Sequence, residues 1–325
     1  MTELDYMEYS SYAAAQAAYV TSDTTGSAVI TQDSADDQNN IFGSGGTEEE
    51  AAQSFTPATA INCSSVQIYL EKVLSPTDDI TVRIETNNAG VPSGTLVNAN
   101  ATKTIATASL SDGYNSFAFP ASFILAASVV YHIVCKRSGS RDATNYWRWT
   151  LLVDTNPYAD GNASRLNSGT WSAQANHDHR FKVYSKSLQC YADAVVKTQG
   201  SYSLKGYALV TSSLNETLTG TLSSAADLTD MNIIRLDLRA TRTGANIKIG
   251  IHDSGGTTTE LTPTISSAST YETQSWDISG VANADKDDID QVIITIVNAD
   301  AANTFYLDNM YGDNVRGKVI FIGDN

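Results

Sequence analysis

The stretch Gln291-Val-Ile-Ile-Thr-Ile-Val297 decides the fold class. Its β-branched residues alternate so that Val292, Ile294 and Ile296 share one face, which is the period of a strand and not of a helix. Working outward, Val66-Gln-Ile-Tyr-Leu-Glu71, Ile80-Thr-Val-Arg-Ile-Glu85 and Asn246-Ile-Lys-Ile-Gly-Ile-His252 read the same way. Turn-forming clusters separate them: Asn87-Asn-Ala-Gly90-Val-Pro92-Ser-Gly94 is a loop, and Asp253-Ser-Gly-Gly256 is placed to close a hairpin. Many short strands with regular turns predict an all-β chain built of sandwiches or barrels.

One helix is expected. Ser10-Ser-Tyr-Ala-Ala-Ala-Gln-Ala-Ala-Tyr-Val20 offers serines as N-caps ahead of an alanine-rich body, with Tyr12 and Tyr19 seven apart on one face. Thr24 to Glu50 is polar and rich in Gly, Asp and Asn, and reads as an extended linker with one weak strand. Phe123-Ile-Leu-Ala-Ala-Ser-Val-Val-Tyr-His-Ile-Val134 is the most apolar run. It is too short and too interrupted for a membrane span and reads as two buried strands joined by a turn.

The 325 residues suit two domains of ordinary size, and 42% hydrophobic content is enough for real cores. Acidic residues outnumber basic ones 36 to 20, a formal charge of −16 that repels a phosphate backbone, so nucleic acid is not an expected partner. Cys63, Cys135 and Cys190 form neither a CxxC nor an even disulfide framework, and Cys63 and Cys135 lie on apolar runs, so buried thiols are expected. The first residues carry Glu3, Asp5 and Glu8 with no basic residue and no apolar core behind them, so no secretory leader is expected. Together these features fit folding in a reducing cytoplasm.

Two separated segments, Leu4-Asp5-Tyr6-Met7-Glu8-Tyr9 and Val196-Lys-Thr-Gln-Gly-Ser-Tyr-Ser-Leu-Lys205, resemble early strands of one galactose-binding-type jelly roll, the fold of many carbohydrate-binding modules. Asp227-Leu-Thr229, Ile233-Ile-Arg-Leu-Asp-Leu-Arg239, Trp276-Asp-Ile-Ser279, Ile289-Asp-Gln-Val-Ile-Ile294 and Phe305-Tyr-Leu-Asp-Asn309 continue the resemblance. It implies a structural calcium held by Glu8, by backbone oxygens around Gln199 to Ser201, and by Asp308, with Trp276 as core. Calcium takes six to eight oxygens, so carboxylates mixed with carbonyls are suitable ligands. Between the two segments, Ala52-Gln-Ser-Phe-Thr56, Val66-Gln-Ile-Tyr-Leu70, the Asn88–Gly94 turn, Phe117-Ala-Phe-Pro120, Asn145-Tyr-Trp-Arg-Trp149 and Phe181-Lys-Val-Tyr184 resemble a choice-of-anchor β-sandwich of bacterial surface and phage tail proteins. The expected architecture is two β-sandwich (jelly-roll) domains, one inserted into the other, with a short N-terminal helix. Residues 1–35 with 187–313 form the outer domain, 36–186 the inserted one, and 314–325 a C-terminal strand or tail.

Aromatic residues concentrate in the inner segment. Trp171, Tyr158, Trp149 and Tyr146 are the candidates for stacking against sugar rings, whose C–H faces are apolar. Trp147 and Trp149 share a face if they lie on a strand, and on a core face they become packing residues. His177-Asp178-His179 has the look of a metal motif, but no third ligand is fixed nearby, and the resemblance makes the aspartate a turn or strand-start residue. Asp285-Lys-Asp-Asp-Ile-Asp290 reads as a solvated turn, and no nucleophile elbow, HExxH, Walker A or dinucleotide fingerprint occurs. Lys318-Val-Ile-Phe-Ile-Gly323 is strongly β-prone, fit to pack within its own chain or to add a strand to a neighbour.

The expectation is therefore a non-enzymatic structural protein of a bacteriophage virion, capsid-decorating or tail-associated and assembled in the host cytoplasm. Its expected partners are other virion proteins, copies of itself and host surface glycans. The alternative is a secreted carbohydrate-binding protein, or the non-catalytic part of a polysaccharide-degrading enzyme.

Overall fold

A computed structural model describes residues 2–5, 7–34, 38–40, 48–139, 142–153 and 156–314. The chain divides into two compact units, residues 1–24 with 187–325, and residues 25–186. Both are sandwiches of antiparallel strands, as the alternating sequence patterns require. No helix among the described residues is long and apolar enough to cross a membrane.

In the discontinuous unit one sheet runs Leu188–Asp193, Ser203–Ala208, Asn303–Asp313, Ile233–Ala240, Glu272–Asp277, and Thr2–Asp5 adds to Asn303–Asp313. The facing sheet runs Tyr19–Thr21, Thr217–Ala226, Ile289–Ile296, Ile247–Asp253, Thr258–Leu261. Segments from the start of the chain thus pair with strands that follow residue 187 in both sheets. The core between them is mainly aliphatic: Ile247, Ile249 and Ile251 meet Val292, Ile294 and Ile296, with Leu204, Phe305, Leu307 and Trp276 opposite. Burying such side chains gives about 1.5–3 kcal/mol each. Gly206 is required by this packing, because a Cβ there would collide with the Phe305 ring.

The helix is shorter than the sequence suggests, Tyr12–Ala18, with the Ser11 hydroxyl accepting from Ala14 N at 3.1 Å. Tyr19 leaves the helix extended and starts a strand, because Tyr19 and Thr21 gain burial in the sheet beside Leu218 and Gly220. Asp285–Asp290 is not wholly solvated either. Lys286 is buried, and its ammonium donates to the carbonyls of Met231 at 3.0 Å and Ile278 at 3.4 Å.

In the continuous unit one sheet runs Asp178–His179, Tyr146–Leu152, Ile61–Val73, Phe181–Lys186, Ser27–Gln32, with Gly113–Leu125 also on Ile61–Val73 and Gln38–Asn40 also on Tyr146–Leu152. The other runs Thr170–Gln174, Ala163–Asn167, Glu48–Phe55, Tyr131–Arg137, Ile80–Asn88, Val91–Leu96, with Thr102–Ile105 also on Ile80–Asn88. The run 123–134 is indeed divided between two strands. The segment expected to be a linker with one weak strand contains Ser27–Gln32, which pairs with Phe181–Lys186 and so belongs with the continuous unit; the division falls after Thr24 and not after residue 35. All three cysteines are buried thiols. The 318–323 run lies outside the described residues.

Candidate functional site

The four residues expected around an ion converge on one loop. Thr198 to Tyr202 turns its backbone N–H groups toward two carboxylates. Asp308 Oδ2 accepts from Thr198 N at 2.6 Å, Thr198 Oγ1 at 3.0 Å and Gln199 N at 3.2 Å. Glu8 accepts from Ser201 N at 2.9–3.0 Å and Tyr202 N at 3.1 Å. Gly200 sits between the two sets at φ +56, and any Cβ there would collide with the Glu8 carboxylate, so glycine is the residue that closes the clamp. Thr198 Oγ1 also lies 2.8 Å from Asp237 Oδ2, so the two carboxylates share its single proton, and the Ser203 hydroxyl donates to Val196 O at 2.5 Å, which seals the loop against the strands.

Asp308 is fully buried, and its Oδ1 has no hydrogen-bond partner. An unpaired buried carboxylate oxygen is costly, and a cation is the natural group to relieve it. A cation such as calcium at that oxygen would relieve the cost. Among the described residues no three His, Cys, Asp or Glu side chains are placed to share an ion, so main-chain oxygens have to complete its shell. One of those oxygens, Ser201 O, accepts from the Lys197 ammonium at 2.9 Å.

The four aromatic candidates do not converge. Trp149 is fully buried, stacked on His179 at 4.1 Å, and donates from Nε1 to Arg180 O at 2.9 Å. It has no free face for a sugar, so its assignment as a stacking platform is corrected to core. The strand's alternation turns Trp147 and Trp149 inward together. Tyr158 stands edge-on to Phe181 at 5.3 Å, and its hydroxyl lies 3.4 Å from the Thr56 N–H. Tyr146 and Trp171 are half-buried on different sheets, opposite Val73 and Leu166 respectively.

In His177-Asp178-His179, the last two side chains are taken up by contacts within the fold. Asp178 is the strand-start residue expected, opening Asp178–His179, and it is fully buried, accepting from Gln53 Nε2 at 2.9 Å and Tyr158 N at 3.2 Å. Gln53 Oε1 accepts from His179 N at 2.7 Å, and His179 Nδ1–H donates to Thr150 O at 3.2 Å. Burial pushes the His179 pKa down to about 3. The shared face expected for the two histidines is not formed, because the strand begins at Asp178 and leaves His177 outside it, and the partner Gln53 lies 125 residues away from Asp178.

A second cluster was not singled out by sequence reading. Phe181 and Val183 turn inward, as do Val66, Ile68 and Leu70, which leaves Arg180, Lys182, Tyr184, Gln67 and Tyr69 outward. Tyr114, opposite Tyr69 in the register, joins them, the two rings meeting edge-on at 5.2 Å. Asp33, just beyond Ser27–Gln32, is bound by Arg180 at 2.8 Å, Lys182 at 3.0 Å and the Tyr114 hydroxyl at 2.5 Å. The Arg180 guanidinium lies 3.9 Å over the Tyr69 ring and the Lys182 ammonium 4.2 Å over Tyr114. The Arg180 and Tyr114 hydrogen bonds hold the Asp33 carboxyl below its usual range. Burial and the neighbouring Asp33 push the Tyr114 phenol up. The available signal was Arg180-x-Lys182-x-Tyr184 beside Gln67-x-Tyr69: long polar and aromatic residues at the outward positions of two strands.

No protein-family model matches the sequence, and no curated protein matches it. Among solved structures, an exo-β-agarase is similar at TM-score 0.33 and 9% identity, over 40% of this chain and 23% of that one. A family 29 carbohydrate-binding module is similar at TM-score 0.26 and 13% identity, over 40% of this chain and 84% of that one. A tandem pair of family 22 modules from Paenibacillus barcinonensis is similar at TM-score 0.26 and 9% identity, over 89% of this chain and 98% of that one.

Proposed function

We propose that this chain is a non-enzymatic glycan-binding protein and that the saccharide is held on the outward face formed by Tyr69, Tyr114, Tyr184, Gln67, Arg180, Lys182 and Asp33. The observation that carries this reading is the fixed array around Asp33. It combines planar rings, directional donors and an ionised carboxylate, on strands or on the residues that flank them, already bonded to one another. Hydroxyl-rich ligands need paired donors and acceptors beside apolar ring edges, and preorganisation removes the entropic cost of arranging them. Asp33 keeps a side chain 43% exposed, so its free lone pairs remain open to a ligand.

The test is saturable binding of the purified chain on a broad glycan array, followed by calorimetry on a hit. Arg180→Ala and Tyr114→Phe are expected to weaken binding at least tenfold, which corresponds to about 1.4 kcal/mol, while Trp149→Phe leaves it unchanged. If the folded chain saturates no glycan, the reading fails. The two settings weighed from sequence, a bacteriophage particle and a secreted binding protein, share this chemistry and part on one measurement. A virion component is present in purified particles at fixed copy number, and a secreted one is not.

The loop at Asp308 gives the proposal a second element. Calcium would be held by Asp308 Oδ1 and Glu8, with the carbonyls of Gln199 and Ser201 and solvent oxygens supplying the rest of its six to eight ligands. At a hundredfold excess over its dissociation constant an ion of this kind stabilises the folded state by about 2.7 kcal/mol. Added calcium is expected to raise the melting temperature of the wild-type chain and not that of Asp308→Asn. Equal melting in calcium and in chelator would remove the ion from the account.

A further inference from the structure

Ser27–Gln32 is the end strand of its sheet. It pairs on one side with Phe181–Lys186, and among the described residues no strand pairs with its other side. An open edge presents unpaired N–H and C=O groups to any extended chain, and proteins usually guard it with charge or proline. This one has neither: its sequence is Ser-Ala-Val-Ile-Thr-Gln, with Ser27, Ala28 and Thr31 exposed and Val29 45% exposed. Other end strands carry acids, Glu260 in Thr258–Leu261 and both Glu272 and Asp277 in Glu272–Asp277.

The chain also supplies a β-prone segment outside the described residues. Lys318-Val-Ile-Phe-Ile-Gly323 follows the last described strand, which ends at Asp313. Six residues face six. Run antiparallel, Lys318 falls opposite Gln32 and Gly323 opposite Ser27, setting Ile320 and Phe321 beside Ile30 and Val29. The same direction brings Lys318 and Arg316 to the end where Asp33 stands, so the charges agree with the register. We propose that segment 318–323 of one copy adds as a strand to the open edge of Ser27–Gln32 in a second copy, so that the chain assembles with itself by β-augmentation. Each contact joins a donor patch to a different acceptor patch, which allows a reciprocal pair or a growing ring.

The experiment is light scattering on size exclusion with three proteins at matched micromolar concentration: the full chain, a chain ending at Asn314, and Val29→Lys. The full chain is expected to run at a multiple of its mass and both variants as monomers, since one lacks the donor and the other has a charged acceptor edge. Mixing the two variants is expected to restore a complex, because the shortened chain keeps the acceptor and Val29→Lys keeps the donor. A second donor variant, Ile320→Pro, repeats the first test without shortening the chain and should also be monomeric. A full chain that is monomeric, including one whose segment folds onto its own sheet, overturns the proposal. So does an oligomer that survives loss of residues 315–325.

Discussion

The two sandwiches are built from similar strands but fill their interiors differently. The discontinuous unit packs aliphatic against aliphatic, with Ile247, Ile249, Ile251, Ile289, Val292, Ile294 and Ile296 in one facing set. The continuous unit buries Phe55, Phe117, Phe123, Phe181 and Trp149, and among them Gln53, Asp178, His179, His132 and Glu85. Apolar cores hold by area alone, whereas buried polar groups hold only while each keeps its partner and its protonation state. The same architecture thus yields one unit with two histidines in its core and one whose single histidine, His252, is not buried. Three of the four histidines lie in the continuous unit, and two of these are fully buried.

Acid breaks this comparison most sharply. Burial lowers the His132 pKa to about 4 and is the largest cause lowering that of His179 to about 3. His132 Nε2–H donates to Asn87 Oδ1 at 2.9 Å, while its Nδ1 has no partner. In the unfolded chain both titrate near 6.5, so the unfolded state takes up protons first as pH falls. Their contribution is intact above about 6.5, declines below it, and levels off only beneath the folded values. At pH 5 the loss is about 2 kcal/mol for each, about 4 in all. Asp178, whose pKa burial raises, acts in the opposite sense, but in the lower window where carboxylates titrate. Calorimetry from pH 7 to 5 is expected to show two transitions moving apart, with that of residues 25–186 falling further. A common shift would mean that the histidines are not buried neutral.

Deletions in the two cores sharpen the same contrast. Ile249→Ala removes aliphatic volume opposite Ile294 and is expected to cost about 3 kcal/mol in the discontinuous unit at every pH. Asp178→Ala strips the acceptor from Tyr158 N and one of the two acceptors of Gln53 Nε2, for about 2 kcal/mol in the continuous unit. Asp178→Asn is expected to lose less, because it retains one acceptor oxygen. Chemical denaturation read by tryptophan fluorescence separates them, since Trp147, Trp149 and Trp171 report on one unit and Trp276 on the other. If Asp178→Ala destabilises the wrong transition, the buried Gln53–Asp178–His179 link is misplaced.

These contrasts also explain what the sequence could carry. The aliphatic strands were legible because alternation is local: seven residues of Gln291–Val297 suffice to name both faces. The Glu8–Gly200–Asp308 clamp was reachable only through a resemblance, since its parts are separated by nearly the whole chain. Glycine at 200 is explained by a side chain from position 8. Within 24–50 the sequence shows one weak strand and not which residues form it, because polar, lightly patterned strands at a sheet end such as Ser27–Gln32 need not alternate. The Asp33 cluster was missed for a related reason. Its residues occupy outward positions, where sequence pattern marks only exposure, and their meeting depends on register between strands more than a hundred residues apart.

The smallest effect concerns the only described α-helix, in the discontinuous unit. Seven residues are too few to pay the nucleation cost unaided, so the helix depends on its cap and its packing. The cap is the Ser11 hydroxyl on Ala14 N, and the packing is buried Ala15, whose carbonyl accepts from Cys190 Sγ at 3.3 Å, beside Tyr12 edge-on to Tyr191 at 4.9 Å. Ser11→Ala is expected to cost about 1 kcal/mol and Ser11→Gly a few tenths, while Ser11→Asp keeps an acceptor in place. Hydrogen exchange at Ala14 and Ala15 reads the change directly: fraying there, with Ile249 and Ile294 still protected, would show that the helix leans on a core it does not hold together. Equal loss at both places would instead make the helix part of what closes the sandwich.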